Sequence, residues 1–265
     1  VLFIRLVLFY PLHIWGSSRL GTSIGYNPNV VGVEAAFAAI LSLYLMEKSN
    51  RKLIYVVLFF VFLIVVVFSG SRKALLGLIL GLFIIVFLRS NISIFRKIFG
   101  LIFLILFIYV FYLIMTSFEP IYDVMGRRLE TLFNVFLGTE SSVRTSMIDI
   151  GLSLFGEKPW IGHGQSQYSY ISGFQTYSHN NYIEFLVNFG IIGFCLYYSV
   201  YVISFYRLIK IAKSHKNGIY FLSMLIVILF LETGSITYQS LYLLIPLSVV
   251  VIRSKLHHGN VHSIK

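Results

Sequence analysis

The chain has 265 residues, 58% of them hydrophobic and only 12% charged, with a formal net charge of +11. Soluble domains carry about 25% charged residues, so the composition argues against a soluble fold and for a polytopic membrane protein. The single cysteine, Cys195, leaves no internal disulfide to stabilise a small secreted scaffold.

The first apolar run is Val1–Trp15. It lacks a basic segment before it and a cleavage site after it, so it does not read as a signal peptide. It starts abruptly, and the chain reads as a fragment lacking upstream helices. Further apolar runs follow at Asn29–Met46, Leu53–Phe68, Ala74–Leu88, Ile98–Met115, Tyr182–Tyr206, Ile219–Leu231 and Ser240–Ile252. A span needs ~20 residues, and these runs approach that length. The expected fold is all-α, with about seven to eight transmembrane helices and one long external loop. The chain, 1–265, reads as a single membrane domain that includes the loop 116–181.

The charge of the connections orients the chain. "EKSNRK", "RSNISIFRK", "RLIKIAKSHK" and the C-terminal tail hold 13 of the 21 basic residues. If the helices alternate, all four lie on one side, which is then cytoplasmic. The long loop Thr116–Asn181 lies opposite and has more acidic than basic residues. The basicity is therefore an orientation signal, and nucleic acid is not an expected partner. Chemistry is to be sought on the external face.

The short turn "SGSRKALLG" puts Arg72 and Lys73 at the start of a helix. Free backbone N–H groups and the positive dipole end make such a start an anion site, and an arginine fork suits phosphate. The alternative is snorkelling of both cations to lipid headgroups. In the long loop, "SVRTSMIDIGLSLFGEKPWIGHG" has helical spacing at Val143, Met147, Ile150 and Leu154, with Ile148 and Phe155 beside them. This predicts an external amphipathic helix of about four turns. It would lie on the membrane or fold over a cavity. Pro159 stops it and Gly162 and Gly164 mark a turn. Arg144 shares a row with Ile148, which predicts that it faces the buried side.

His179 precedes a helix that begins near Asn180 or Asn181. The positive end of the helix disfavours a charged imidazole, and a neutral one accepts a proton as a general base must. The alternative is a capping cluster, since Ser178 and Asn180 are good caps. His163 is external but belongs to the turn. His215, His257, His258 and His262 fall in cytoplasmic segments and His13 in the first run. Glu34, Glu184 and Glu232 are acids in or beside spans, where such residues are costly. Gly190 and Gly193 of "GIIG" suit close helix packing. Trp160, Tyr168, Tyr170 and Tyr177 suit either sugar stacking or an interfacial belt. Asp123 and Asp149 are the only aspartates and no Asp-x-Asp pair occurs, so no metal or cofactor is expected.

Three stretches in this order, "SGSRKALLG", "SVRTSMIDIGLSLFGEKPWIGHG" and "SHNNYIEFLVNFGIIGF", resemble the O-antigen ligase and O-antigen polymerase superfamily of bacterial inner-membrane glycosyltransferases. "NPNVVGVEAAFAAILSLYL" is similar to the helix before the first motif, so the resemblance runs from about Asn27 to Gly193. The resemblance implies a GT-C-like, multi-pass protein of the bacterial inner (cytoplasmic) membrane, with its site on the periplasmic or external face. It implies transfer of a glycan from undecaprenyl pyrophosphate to an acceptor hydroxyl, without metal and with inversion. Arg72 and Arg144 would hold the pyrophosphate, with Lys73 and Asn180 as further substrate-binding residues, and His179 would be the base. It implies membrane lipid, and a flippase and a chain-length regulator, as partners. The expected product is a polymer of O-antigen, capsule or exopolysaccharide repeat units. The alternatives are ligation to a lipid A-core acceptor and, in another class, a polysaccharide or lipid-linked sugar transporter. A transporter would place its charged residues near the bilayer midplane, whereas here they gather at one face.

Overall fold

The computed structural model describes residues 19–22, 25–88, 143–214 and 217–262, with scattered positions between 93 and 126. The described residues form eight helices and no strand. The first apolar run, most of Ile98–Met115 and the start of the long loop lie outside them. The chain divides into two compact units, Val1–Leu137 and Gly138–Lys265.

In the first unit, α1 (Pro28–Lys48), α2 (Lys52–Phe68) and α3 (Arg72–Leu88) follow one another through short connections. Asn27 caps α1, its side chain accepting from the Asn29 N–H at 2.9 Å, and Pro28 occupies the first turn where its missing N–H costs nothing. Small residues let α1 approach its neighbours. A side chain at Gly32 would meet Ser69 Oγ at 2.4 Å and Ala74 Cβ at 3.0 Å. Leu53, Val57, Phe60 and Ile64 form a row on α2 that faces outward, the reverse of a soluble amphipathic helix.

The second unit holds α4 (Val143–Glu157), α5 (Gln167–Ile171), α6 (Asn181–Ser214), α7 (Gly218–Glu232) and α8 (Leu241–His262). The predicted loop helix is α4, 15 residues long and ending two residues before Pro159. It does not stand alone. Ile148, Leu154 and Phe155 pack on Tyr168, Ile183 and Val187. Gly151 allows this contact, because a Cβ there would lie 2.2 Å from Ile183 Cγ2.

α1 and α6 are long and apolar enough to cross a membrane. The run expected as one span at Tyr182–Tyr206 is not straight, however. Gly190 sits at φ 64° and ψ −171°, outside helical space. A straight helix would hold Asn181 and Tyr198 about 25 Å apart, yet Asn181 Nδ2 donates to Tyr198 Oη at 2.9 Å. The Tyr182 and Tyr198 rings stack at 5.2 Å and those of Phe185 and Tyr197 at 4.4 Å. The helix therefore folds back at Gly190. A short arm, 181–189, lies antiparallel to the start of a long arm, 191–214. The long arm alone extends about 36 Å.

The apex is completed by the turn after α4. Ile191 and Ile192 donate to the carbonyls of Pro159 and Trp160 at 2.8 and 3.2 Å, and Val187 and Asn188 accept from His163 and Gly164 at 2.8 and 2.9 Å. The backbone groups freed by the break thus find partners, as buried groups must. Gly162 and Gly190 have no room for a side chain: a Cβ on either would lie 2.6 Å or less from the other segment's backbone.

Candidate active site

The turn before α3 is built as the sequence predicts. Gly70 takes φ 61°, Ser69 Oγ accepts from the Ser71 N–H at 3.2 Å, and Ser71 Oγ faces the Ala74 N–H at 3.4 Å. Arg72 and Lys73 open the helix and are half-buried. Arg19, which the sequence did not single out, braces the turn. Its Nε donates to the Ser69 carbonyl at 2.9 Å and its Nη2 to Asn29 Oδ1 at 2.7 Å. Its signal was weak, a lone cation in a polar stretch.

In the second unit, His179 has φ 57°, an uncommon left-handed conformation for a residue with a side chain. Its neighbours hold it there. Asn180 caps α6 by accepting from the Tyr182 and Ile183 N–H groups at 3.0 and 3.3 Å. Ser178 Oγ donates to the Asn180 carbonyl at 2.7 Å. Glu184, 2% exposed, accepts from the Ser178 N–H at 2.7 Å through Oε2. The sequence left Glu184 between orienting a site and simple packing. The structure has its carboxylate hold the residue before His179.

Arg144 is exposed, contrary to the expectation from its row with Ile148. A helical side chain covers the turn before its own Cα. Arg144 stands second in α4 and has no such turn, and the buried stripe starts at Met147. Burial raises the pKa of the Tyr177 phenol, and the Arg144 charge counters that rise. The Tyr177 ring lies 4.2 Å from the His179 ring. Arg144 and His179 belong to this unit, while Arg72 and Lys73 belong to the other.

Other candidates have structural duties. His163 Nε2 lies 2.8 Å from the Leu154 carbonyl, at the end of α4. Tyr168 is fully buried, its hydroxyl donating to the Met147 carbonyl at 2.8 Å, so it cannot stack on a sugar. Burial pushes its phenol up to about 12. Glu232, also fully buried, accepts from the hydroxyls of Tyr198, Tyr201 and Thr237. Asn188 went unremarked in the sequence, inside an apolar run. Buried, it accepts from the Tyr168 N–H and donates to Tyr238 Oη, both at 3.0 Å, linking α5, the short arm and the loop after α7.

No curated protein matches the chain. The family model for O-antigen ligase matches residues 56–198, just over half of the chain. The matched segment contains Arg72, Lys73, Arg144, His179 and Asn180. It also contains Gly162 and Gly190, on which the hairpin apex depends. The family consists of membrane proteins that are glycosyltransferase-like enzymes, which agrees with the spans and the outward-facing apolar rows. With the motifs in order and the segment matched, the chain belongs to the O-antigen ligase family.

Proposed function

We propose that this chain is part of a multi-pass transferase, with about seven to eight spans, that polymerises surface polysaccharide repeat units at the external face of the bacterial cytoplasmic membrane. The donor is a glycan on undecaprenyl pyrophosphate. The acceptor hydroxyl attacks the anomeric carbon, the bond to the pyrophosphate oxygen breaks, and the leaving group departs with the electron pair. His179 takes the hydroxyl proton. Arg72 and Arg144 neutralise the charge that develops on the pyrophosphate, with Lys73 and Asn180 beside them. A single displacement inverts the configuration at that carbon.

The observation that carries this reading is the His179 turn. It holds a non-glycine residue in a left-handed conformation, and such positions gather at functional sites. Glu184, Ser178 and Asn180 fix it, and the Tyr177 ring packs beside its imidazole. A capping cluster alone would not need the histidine.

The test is transfer per molecule of folded protein. His179→Ala should lose about 10²–10⁴-fold in rate, the usual contribution of a positioned base, while donor binding is kept. A wild-type rate after that normalisation would remove the assignment. The description of the matched family favours ligation as the second reading. Deleting the gene separates the two: a polymerase loses long chains, whereas a ligase leaves finished polymer on the lipid carrier.

A further inference from the structure

The hairpin in α6 says where the bilayer lies. The long arm presents an apolar face with Ile192, Leu196, Ile203 and Tyr206 all exposed. At its upper end the turn docked on the apex adds Trp160 and Ile161, 68% and 73% exposed, just after the exposed Lys158. At its lower end Lys210 sets its ammonium 4.3 Å above the Tyr206 ring. Tryptophan, tyrosine and lysine are the side chains that settle at membrane interfaces. From Ile192, whose N–H is bonded to the Trp160 carbonyl, to Lys210 the helical rise is about 27 Å. A hydrocarbon core is about 30 Å thick.

The geometry points to a bilayer whose core reaches from Trp160 and Ile161 at the apex to Tyr206 and Lys210, so that the short arm 181–189 dips back into the leaflet. The occupant of the exposed face is lipid. The short arm is suited to such a position. Every residue from Asn181 to Gly190 is buried or half-buried, so protein encloses most of the arm. Backbone that is not part of a crossing helix is tolerated at this depth only when protein encloses it. The contact of Asn181 with Tyr198 puts the start of the arm about 12 Å below the apex by helical rise. α7 agrees. It is 15 residues long, about 22 Å, and falls short of a full crossing. Its end at Glu232 meets Tyr198 and Tyr201, so it stops at the level where the short arm begins.

On the transferase reading above, His179 would then meet a lipid-borne donor inside the thickness of the leaflet. The depth itself does not depend on that reading, and its test needs no activity. The chain has two tryptophans, so Trp15→Phe leaves Trp160 as the single fluorophore. In vesicles of phosphatidylcholine brominated either near the headgroup or near the chain end, we expect Trp160 to be quenched more strongly by the shallow bromines. A nitroxide at Leu196→Cys, on a Cys195→Ser background, should collide with dissolved oxygen more than with an aqueous nickel chelate. It should lie about 9 Å deeper than the apex. Cys195 and Leu196 are exposed, so these two substitutions spare the packing. Unquenched Trp160, or deep bromines quenching it more strongly, would overturn the boundary. So would a label at 196 that favours the nickel chelate, since the apex would then stand in water.

Discussion

Replacing Gly190 with alanine tests the hairpin directly. The position combines φ 64° with ψ −171°, a region almost closed to residues with a side chain. Holding one there costs about 1–3 kcal/mol. The new Cβ would also lie 2.4 Å from the carbonyl carbon and oxygen of Trp160 and 2.6 Å from the Ile161 nitrogen. These are backbone atoms and cannot swing aside. Relief requires the turn to lift away, which stretches the bonds from His163, Gly164, Ile191 and Ile192. At about 1 kcal/mol net for each bond lost, losing two or three brings the total to about 3–6 kcal/mol. That is a large part of the 5–15 kcal/mol or so by which domains are stable. Gly156→Ala is the control. Nothing lies within 4 Å of a Cβ there, and alanine in a helix is favoured over glycine by about 1 kcal/mol. Unfolding by SDS in mixed micelles, followed by circular dichroism, should show Gly190→Ala strongly destabilised and Gly156→Ala unchanged or stabilised. If Gly190→Ala unfolds with the wild-type protein, the hairpin is not the fold of this segment.

Three further expectations can be checked with the same preparations. Glu184→Ala removes the acceptor of the Ser178 N–H, so turnover should fall while the apparent affinity for donor is kept; Glu184→Gln retains an oxygen there and should recover most of the rate, and equal loss in both would argue against positioning through this bond. Arg72→Lys keeps charge but loses the fork, and a rate per folded molecule equal to wild type would show that bidentate contact is not used. Cysteines at the exposed positions Lys158 and Lys213, on a Cys195→Ser background, should react with an impermeant reagent in intact cells at 158 only, and the reverse pattern would invert the orientation.

Much of the local structure could be read in advance because its causes are local. Asn27 and Pro28 announce α1, the apolar spacing from Val143 announces α4, and Pro159 ends it within two residues. Asn180 announces the start of α6 by the same capping chemistry. The hairpin was not legible, because a glycine that permits close packing and one that permits a forbidden backbone angle look alike in sequence. Only the partner decides, and the partner is the turn from Pro159 to Gly164, remote in sequence from Gly190 but bonded to it on both sides. The exposure of Arg144 was misread for a different reason. A row of a helix predicts burial only where a preceding turn lies beneath it, and Arg144 stands too near the end of α4.

The motif around His179 acquires a physical explanation from the hairpin. In a straight α6, the histidine would sit at the free tip of a rod, with solvent on most sides. Folding the first arm back instead sets Asn181 against Tyr198 and against the Thr237 N–H, which it accepts at 2.8 Å. It also lays Ile183 and Val187 under α4. The N-terminal end of the helix, with its partial positive charge, is then enclosed by protein, where such fields act more strongly than in water. Glu184 lies in the first turn of that end and accepts from the residue before His179. Under the proposed function, the positive helix end beside His179 favours the neutral imidazole, the form that takes a proton. The two glycines of the apex, distant from the histidine in function, are what allow the enclosure to form.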